Sequence, residues 1–331
     1  MKAVRMRNQT AGQAKRQHGV ALAMLLWFVA ALTILVAGIV SVSRTDVKMV
    51  QLQLQSARAT AIGDGATLLA MSDLLLLKEA GEFAGRGIFR GAYTLGELAV
   101  EVQARSTAGL VNLNMASVEL LSKLFEFGAA LDVKEAKILA DNIVAWRTPQ
   151  LMEVNSELAA AYKAEGKTGT RAGRFEVAED LLQVLGVNRT IYERVADLVV
   201  VPAGGQSGAR QTVSFLGTAP SVQNNIDPLS APLELLVMIV GDMESAEEIA
   251  AERAEMPYTN SGILGGFVEQ GVVSSLLRVD ADVTAEDGVI FRRRSWIMLD
   301  GVGPNQLPWR IMRSEAVKIV KVVAKETQDD A

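Results

Sequence analysis

The 331-residue chain contains no cysteine and a single histidine. Without thiols there is no disulfide framework, no thiolate nucleophile and no zinc–thiolate site. The one histidine, His18, sits in a basic stretch at the N-terminus. If that stretch is removed, the working protein has no imidazole. A Ser-His-Asp triad, a histidine metal site and a histidine general base are then all excluded. Aromatics make up only 5% of the chain, and none of the eight prolines precedes Pro149, so no proline breaks a helix over the first 148 positions. Basic residues are also in deficit, 33 Lys and Arg against 38 Asp and Glu, a net charge of −5. That balance opposes binding to a phosphate backbone.

Charge is absent altogether over Val20–Ser43, a run of 24 residues. As a helix it reaches about 36 Å, enough for the roughly 30 Å hydrocarbon core of a bilayer and too long for a cleaved secretory signal. The preceding residues 1–19 carry Lys2, Arg5, Arg7, Lys15 and Arg16 and no acid. This side is expected to stay in the cytoplasm, placing the rest of a single-pass chain across the membrane. Val47, Val50, Leu54, Ala57 and Ala61 continue the three- and four-residue spacing past Arg44, and apolar positions follow through Leu77. The pattern predicts one helix of about 55–60 residues, weakened in its middle by Gly63 and Gly65.

The juncture Gln17-His18-Gly19-Val20-Ala21-Leu22 resembles a class III prepilin leader. That resemblance implies cutting by prepilin peptidase between Gly19 and Val20 and N-methylation of Val20. Taking the leader's five positive charges from the −5 chain leaves a mature charge of −10. Most pilins and pseudopilins carry Glu at the fifth mature position, whereas here it is Met24. An unpaired carboxylate in lipid is costly, so its loss suits a subunit that starts or caps a filament.

Beyond the helix, Tyr93–Gln103 alternates as a strand. Helices are expected at about 117–127 and 133–147, the first capped by Asn114 or Ser117. A loop or irregular helix near 153–173 leads to two short helices and a strand by Val201, and Pro202–Ser207 reads as a connection. Strand pattern returns over Ser275–Val283, turns at Ala285–Gly288, runs back over Val289–Leu299, and closes with a strand or helix at Ala316–Ala324.

The segments GLVNLNMAS (Gly109–Ser117), ADNIVAWRTP (Ala140–Pro149), FEVAEDLLQVLGV (Phe175–Val187) with IYERVADLVVV (Ile191–Val201), and NNIDPLSAPLELL (Asn224–Leu236) occur in one order. In that order they resemble the type II secretion system protein K family, the large minor pseudopilins. The resemblance runs from about Gly19 to Arg294. It implies an α+β fold: a long N-terminal transmembrane and stem helix on a pilin-like antiparallel sheet, with an inserted all-helical domain of helix-hairpin-helix or SAM-like type. The expected divisions are a leader at 1–19, a membrane helix at 20–43, stem helix and first strands at 44–106, the insertion at 107–203, and the remaining sheet at 204–331. The expected function is assembly and not catalysis, at a pseudopilus tip that exports folded proteins. Implied partners are I- and J-type minor pseudopilins, prepilin peptidase, secreted cargo and the bacterial inner membrane, with the C-terminal part periplasmic. Met24, Val47, Val50 and Leu54 are the expected stem contacts.

The family's acidic loop is here Trp146-Arg147-Thr148-Pro149-Gln150, and its second asparagine motif is Asn225-Ile226-Asp227-Pro228. The six to eight oxygen ligands calcium needs are not evident, so no cofactor is assigned and the metal content stays unknown. Asp280, Asp282, Glu286 and Asp287 crowd together, but the two on the strand alternate with Val279, Ala281 and Val283 and read as a solvent-facing hairpin face. Arg292-Arg293-Arg294 is split by strand alternation between two faces, in a charge-balancing role, and Trp146 reads as core. A rival reading is a minor pilin-like protein of a type IV pilus or DNA-uptake system, because the insertion also resembles helix-hairpin-helix repeats. The acidic balance and the hairpin Gly128-Ala129-Ala130-Leu131-Asp132, which lacks the Gly-x-Gly pattern, oppose it, and no nucleic acid is expected.

Overall fold

The computed structural model describes residues 18–81, 87–148, 156–167, 173–202, 226–255, 275–299 and 307–322. It divides into two compact units, Met1–Ala57 and Arg58–Ala331. Helix α1, His18–Glu79, is 62 residues long and contributes to both. In the first unit its side chains from Leu22 to Ala37 are all exposed, although almost every one is apolar. The polar exception Thr33 turns its hydroxyl back onto the Val29 carbonyl at 2.8 Å, so it presents no unmet donor to an apolar solvent.

The second unit is built on a six-stranded antiparallel sheet. Strands β1 (Ile88–Leu95) and β2 (Leu98–Ser106) form a hairpin; β5 (Leu276–Thr284), β6 (Val289–Met298), β7 (Arg310–Ser314) and β8 (Lys318–Val322) complete it. The spatial order is β1-β2-β5-β6-β7, with β8 also paired to β6. The single strand expected over 93–103 is therefore two strands. Gly96, at φ +65°, provides the left-handed turn between them, where a side chain would be strained.

One sheet face packs on α1. Ala59, Ala66, Ala70 and Leu74, one or two turns apart, lie on one side of the helix and are buried against Val100, Val102, Val279, Ala281, Val283 and Phe291. Gly63 lets this approach happen: a Cβ there would lie 2.7 Å from Arg293 Cβ. The glycine that weakens the helix by propensity is the one that brings it onto the sheet.

Between β2 and β5 the chain forms a helical part with a core of its own. It contains the short strands β3 (Val111–Asn112) and β4 (Val199–Val200), which pair in parallel. Its helices are α2 (Val118–Lys123), α3 (Val133–Arg147), α4 (Ser156–Ala164), α5 (Arg189–Val195), α6 (Leu233–Val240) and α7 (Met243–Glu255). Trp146 is 1% exposed and stacks on Phe175 with ring centroids 4.3 Å apart, a core role as expected. The helical part outruns its expected end at 203: Ile226, Leu235, Leu236, Met238 and Ala246 share its core. Residues 203–225 lie outside the described residues, so of the Pro202–Ser207 connection only Pro202 is described.

Candidate assembly interface

Gly19 and Val20 fall in the first turn of α1, and the leader residues 1–17 lie outside the described residues. Of the expected stem contacts, Met24 is 69%, Val50 61% and Leu54 59% exposed; the side chain of Val47 lies outside the description. Two stretches of α1 are strongly apolar, Leu22–Ala37 and Lys48–Glu79, and only the second meets the length needed to cross a membrane within the described residues. Burial separates their roles. Lys48–Glu79 includes Arg58, Asp64 and Asp73 and buries one face in the sheet core, as the core helix of a soluble unit does. Leu22–Ala37 is uncharged and exposed all round, which is the pattern of a helix solvated by lipid. The apolar N-terminal part of α1 thus fits a single-pass membrane anchor.

The sheet face opposite α1 carries charge, and here the structure corrects the sequence reading. Asp280 is 5% exposed and lies inside, not in water. Arg294 on β6 is its cross-strand partner, with Nε donating to Asp280 Oδ1 at 2.6 Å and Nη1 to Asp197 Oδ1 at 2.6 Å. Arg278 places Nε 3.2 Å from Asp280 Oδ2 and donates from Nη1 to the Asp197 carbonyl at 2.6 Å. Asp282 accepts both Nε and Nη2 of Arg292 at 2.7 Å, a bidentate pair. Burial would raise the Asp280 carboxyl, but Arg278 and Arg294 override it and hold it below the ordinary aspartate range. Asp197 behaves the same way, with Arg294 outweighing burial. Alternation distinguishes the two faces correctly; what it cannot reveal is that the helical part covers the second. The basic run does divide as expected: Arg292 and Arg294 lie on this face, while Arg293 reaches back to Asp64 on α1 at 2.7 Å.

The ordered motif residues act as clamps within the helical part. Asn114 closes a two-way pair with Phe175, accepting its N–H at 2.8 Å and donating to its carbonyl at 2.9 Å. Arg147 donates from Nη1 and Nη2 to the carbonyls of Leu113 and Ala116, at 2.6 and 2.5 Å. This places the arginine of the Trp-Arg motif against the Asn-Leu-Asn loop with no carboxylate between. Ser117, and not Asn114, caps α2 through Leu120 N–H. Asp227 caps its own turn, accepting from Leu229 N–H and the Ser230 hydroxyl. Among the described residues no three His, Asp or Glu side chains are grouped to hold a metal ion.

The hairpin between α2 and α3 has Ala130 at φ +53°, the left-handed position a glycine favours. The first amides of α3, those of Lys134 and Glu135, are taken by Asp132 Oδ1 at 2.7 and 3.1 Å, and the Ala129 carbonyl accepts from Arg194. A helix start that would receive a phosphate oxygen is filled by a carboxylate, which would repel one. A small cleft lies between α5, β6 and β7, but the charges lining it are matched: Arg313 with Glu179 at 3.4 Å, and Lys318 with Glu315 at 3.1 Å. Burial, then Glu179, pushes the Tyr192 hydroxyl there up to about 12, so it stays protonated.

No family model matches the chain, and no curated protein matches it. Among solved structures it is similar to a chain of the crystal structure of the GspK-GspI-GspJ complex from the enterotoxigenic Escherichia coli type 2 secretion system. The likeness has a TM-score of 0.48 at 12% identity and covers 82% of this chain and 98% of that one. A likeness this loose assigns nothing to this chain.

Proposed function

We propose that the protein is a minor pseudopilin of a type II secretion system, acting by assembly at the tip of a pseudopilus. The observation that carries this reading is α1 itself. One helix supplies an uncharged, fully exposed apolar stretch in its early turns and the core of an antiparallel sheet in its later ones. A plain membrane anchor has no need to be continuous with a core helix.

In this reading prepilin peptidase cuts between Gly19 and Val20, Val20 is N-methylated, and the chain stays in the inner membrane with its sheet and helical part in the periplasm. Met24 replaces the carboxylate of a shaft subunit, so the chain starts or caps the filament. The exposed Val50 and Leu54 meet the stems of I- and J-type minor pseudopilins, gaining about 25 cal/mol per Å² of apolar area removed from water. The helical part then faces away from the shaft, where it blocks a further subunit and meets secreted cargo. The mechanism uses no catalytic residue.

The test is the N-terminal residue and intact mass of the membrane-extracted chain, with and without prepilin peptidase. A methylated Val20 that appears only with the peptidase is the expected result. A leader retained in both strains overturns the proposal. Co-purification with I- and J-type partners at micromolar concentration then separates a tip subunit from a processed chain that assembles with neither.

A further inference from the structure

The two edges of the six-stranded sheet are built differently. At one edge, β7 and β8 each slip register against β6, between Trp296 and Ile297 and between Ile290 and Phe291. They also carry Arg310, Arg313, Lys318 and Lys321. Slipped register and long cationic side chains are devices by which a sheet discourages a further strand. At the other edge, β1 keeps unbroken register with β2 from Ile88 to Leu95. It contains no proline and one charge, Arg90. Among the described residues no strand pairs with its outer side.

The turn decides which backbone groups that side presents. Gly96 and Glu97 form a two-residue loop, so Leu95 and Leu98 exchange hydrogen bonds across it, and bonded pairs recur at every second residue. Tyr93, Gly91 and Phe89 therefore direct their N–H and C=O groups to β2. Those of Arg90, Ala92 and Thr94 point away from the sheet, and all three residues are exposed. The α1 side of the edge stays flat. Tyr93 folds over Gly91, where a Cβ would lie 2.7 Å from its ring, and donates its hydroxyl to Asp73 at 2.6 Å.

On the opposite side, charge runs in rows across the strands. Arg294, Asp280, Gln103 and Arg90 are in register in one row, and Arg292, Asp282, Glu101 and Ala92 in the next. Arg294 pairs with Asp280, and Arg292 with Asp282. The first row thus ends at the open edge on a cation. The second ends on the carboxylate of Glu101, behind the small Ala92. A strand laid along β1 completes both rows when it sets an acid opposite Arg90 and, two residues away, a base that reaches over Ala92 toward Glu101.

We infer that the outer edge of β1 is a docking site for an extended segment of a second protein, selected by an acid opposite Arg90 and a base opposite Ala92. Main-chain hydrogen bonds give such a site its affinity, and alternate side chains its specificity. A second copy of β1 has no acid to offer, because Arg90 is the one charge in its sequence. The site goes beyond filament assembly and stands or falls separately from it.

The experiment uses the full chain in detergent and the end-capped peptide Thr-Val-Lys-Val-Glu-Val-Thr. In antiparallel alignment this peptide sets Glu opposite Arg90 and Lys opposite Ala92. Binding is followed by calorimetry and by amide exchange. Saturable binding of one peptide per chain below about 1 mM is expected, in keeping with the small area of one added strand. Exchange should slow at Arg90, Ala92 and Thr94 and stay as it is at Gly91 and Tyr93. Methylating the peptide's Lys and Glu amide nitrogens, which face β1, is expected to abolish binding. Arg90→Glu, at an exposed position, is expected to weaken binding about three- to tenfold, and Lys in place of the peptide's Glu to restore it. No saturable binding below about 1 mM, binding that survives amide methylation, or no rescue by the exchanged charge overturns the assignment. Exchange at the three amides that is already slow without peptide overturns it too. The occupant is then a second copy if the slowing depends on chain concentration, and the chain itself if it does not.

Discussion

The two faces of the sheet bury side chains by opposite means. Toward α1, Val100, Val102, Val279, Ala281, Val283 and Phe291 meet Ala66, Ala70, Met71 and Leu74 in a dry, non-directional contact. Toward the helical part, Arg294 donates to Asp280 and Asp197, and Arg278 pairs in charge with Asp280 while donating to the Asp197 carbonyl. An apolar face accepts any covering of the right shape. A charged face is stable only when each group finds its partner in one geometry, so it fixes where the helical part sits. Ion pairs of this kind add little net stability over an apolar packing of equal volume. Their value is positional.

That contrast can be broken most sharply at Asp280. Asp280→Ala removes one partner and leaves Arg278 and Arg294 buried without it, so urea denaturation should show a loss of about 3–5 kcal/mol. Replacing all three together, Asp280→Leu with Arg278→Met and Arg294→Met, should cost little or even stabilise by about 1–4 kcal/mol. The same triple variant should loosen the helical part, read as faster amide exchange around Asp197. On the other face, Leu74→Ala should cost about 2–5 kcal/mol through a cavity, with no effect on the charged side. Gly63→Ala should cost about 1–3 kcal/mol by driving α1 off Arg293. At the edge of the charged face, Arg292→Ala should cost no more than about 1 kcal/mol, because its pair with Asp282 keeps more than a quarter of each side chain in water.

Acid should tell the faces apart as well. Asp280 and Asp197 have folded pKa values held below their unfolded ones. Their contribution is therefore complete above the ordinary aspartate value of about 3.9 and is lost as pH falls through the lower folded values. A urea midpoint that falls steeply below about pH 4 in the native chain, and far less steeply in the triple variant, is the expected outcome.

How much of this was legible in the sequence depended on whether the signal was local. The reach of α1, the β5–β6 hairpin with its turn at Gly288, and the core place of Trp146 follow from periodicity and turn chemistry near each residue. The wet reading of Asp280 failed, while Asp282 stays part-exposed, because strand alternation says which residues share a face and nothing of what covers it. The cover here comes from residues more than 80 positions away, such as Asp197. The β1–β2 hairpin was read as one strand because the alternation of Leu98, Val100 and Val102 was extended back across the Gly96 turn. Helix α6 was passed over because a run of eight mostly apolar residues, Leu233–Val240, does not by itself tell a helix from a buried strand. The clamps made by Asn114 and Arg147 look like ligand motifs in sequence, and only their carbonyl partners identify them as structural.

Ser106, the last residue of β2, is paired directly with Leu277 near the start of β5, and the Thr107 hydroxyl donates to the Leu276 carbonyl 169 positions later. To the sheet, the entire helical part is therefore the loop of a single hairpin, entering and leaving through neighbouring points. Loop-closure entropy rises only with the logarithm of length, so the host pays little more for this loop than for a short one. A fold wired in this way can acquire, exchange or shed a whole module at that junction without altering the register of any strand. The sheet and its long helix are then a chassis, and variety among such chains can accumulate in what is mounted between two adjacent strands.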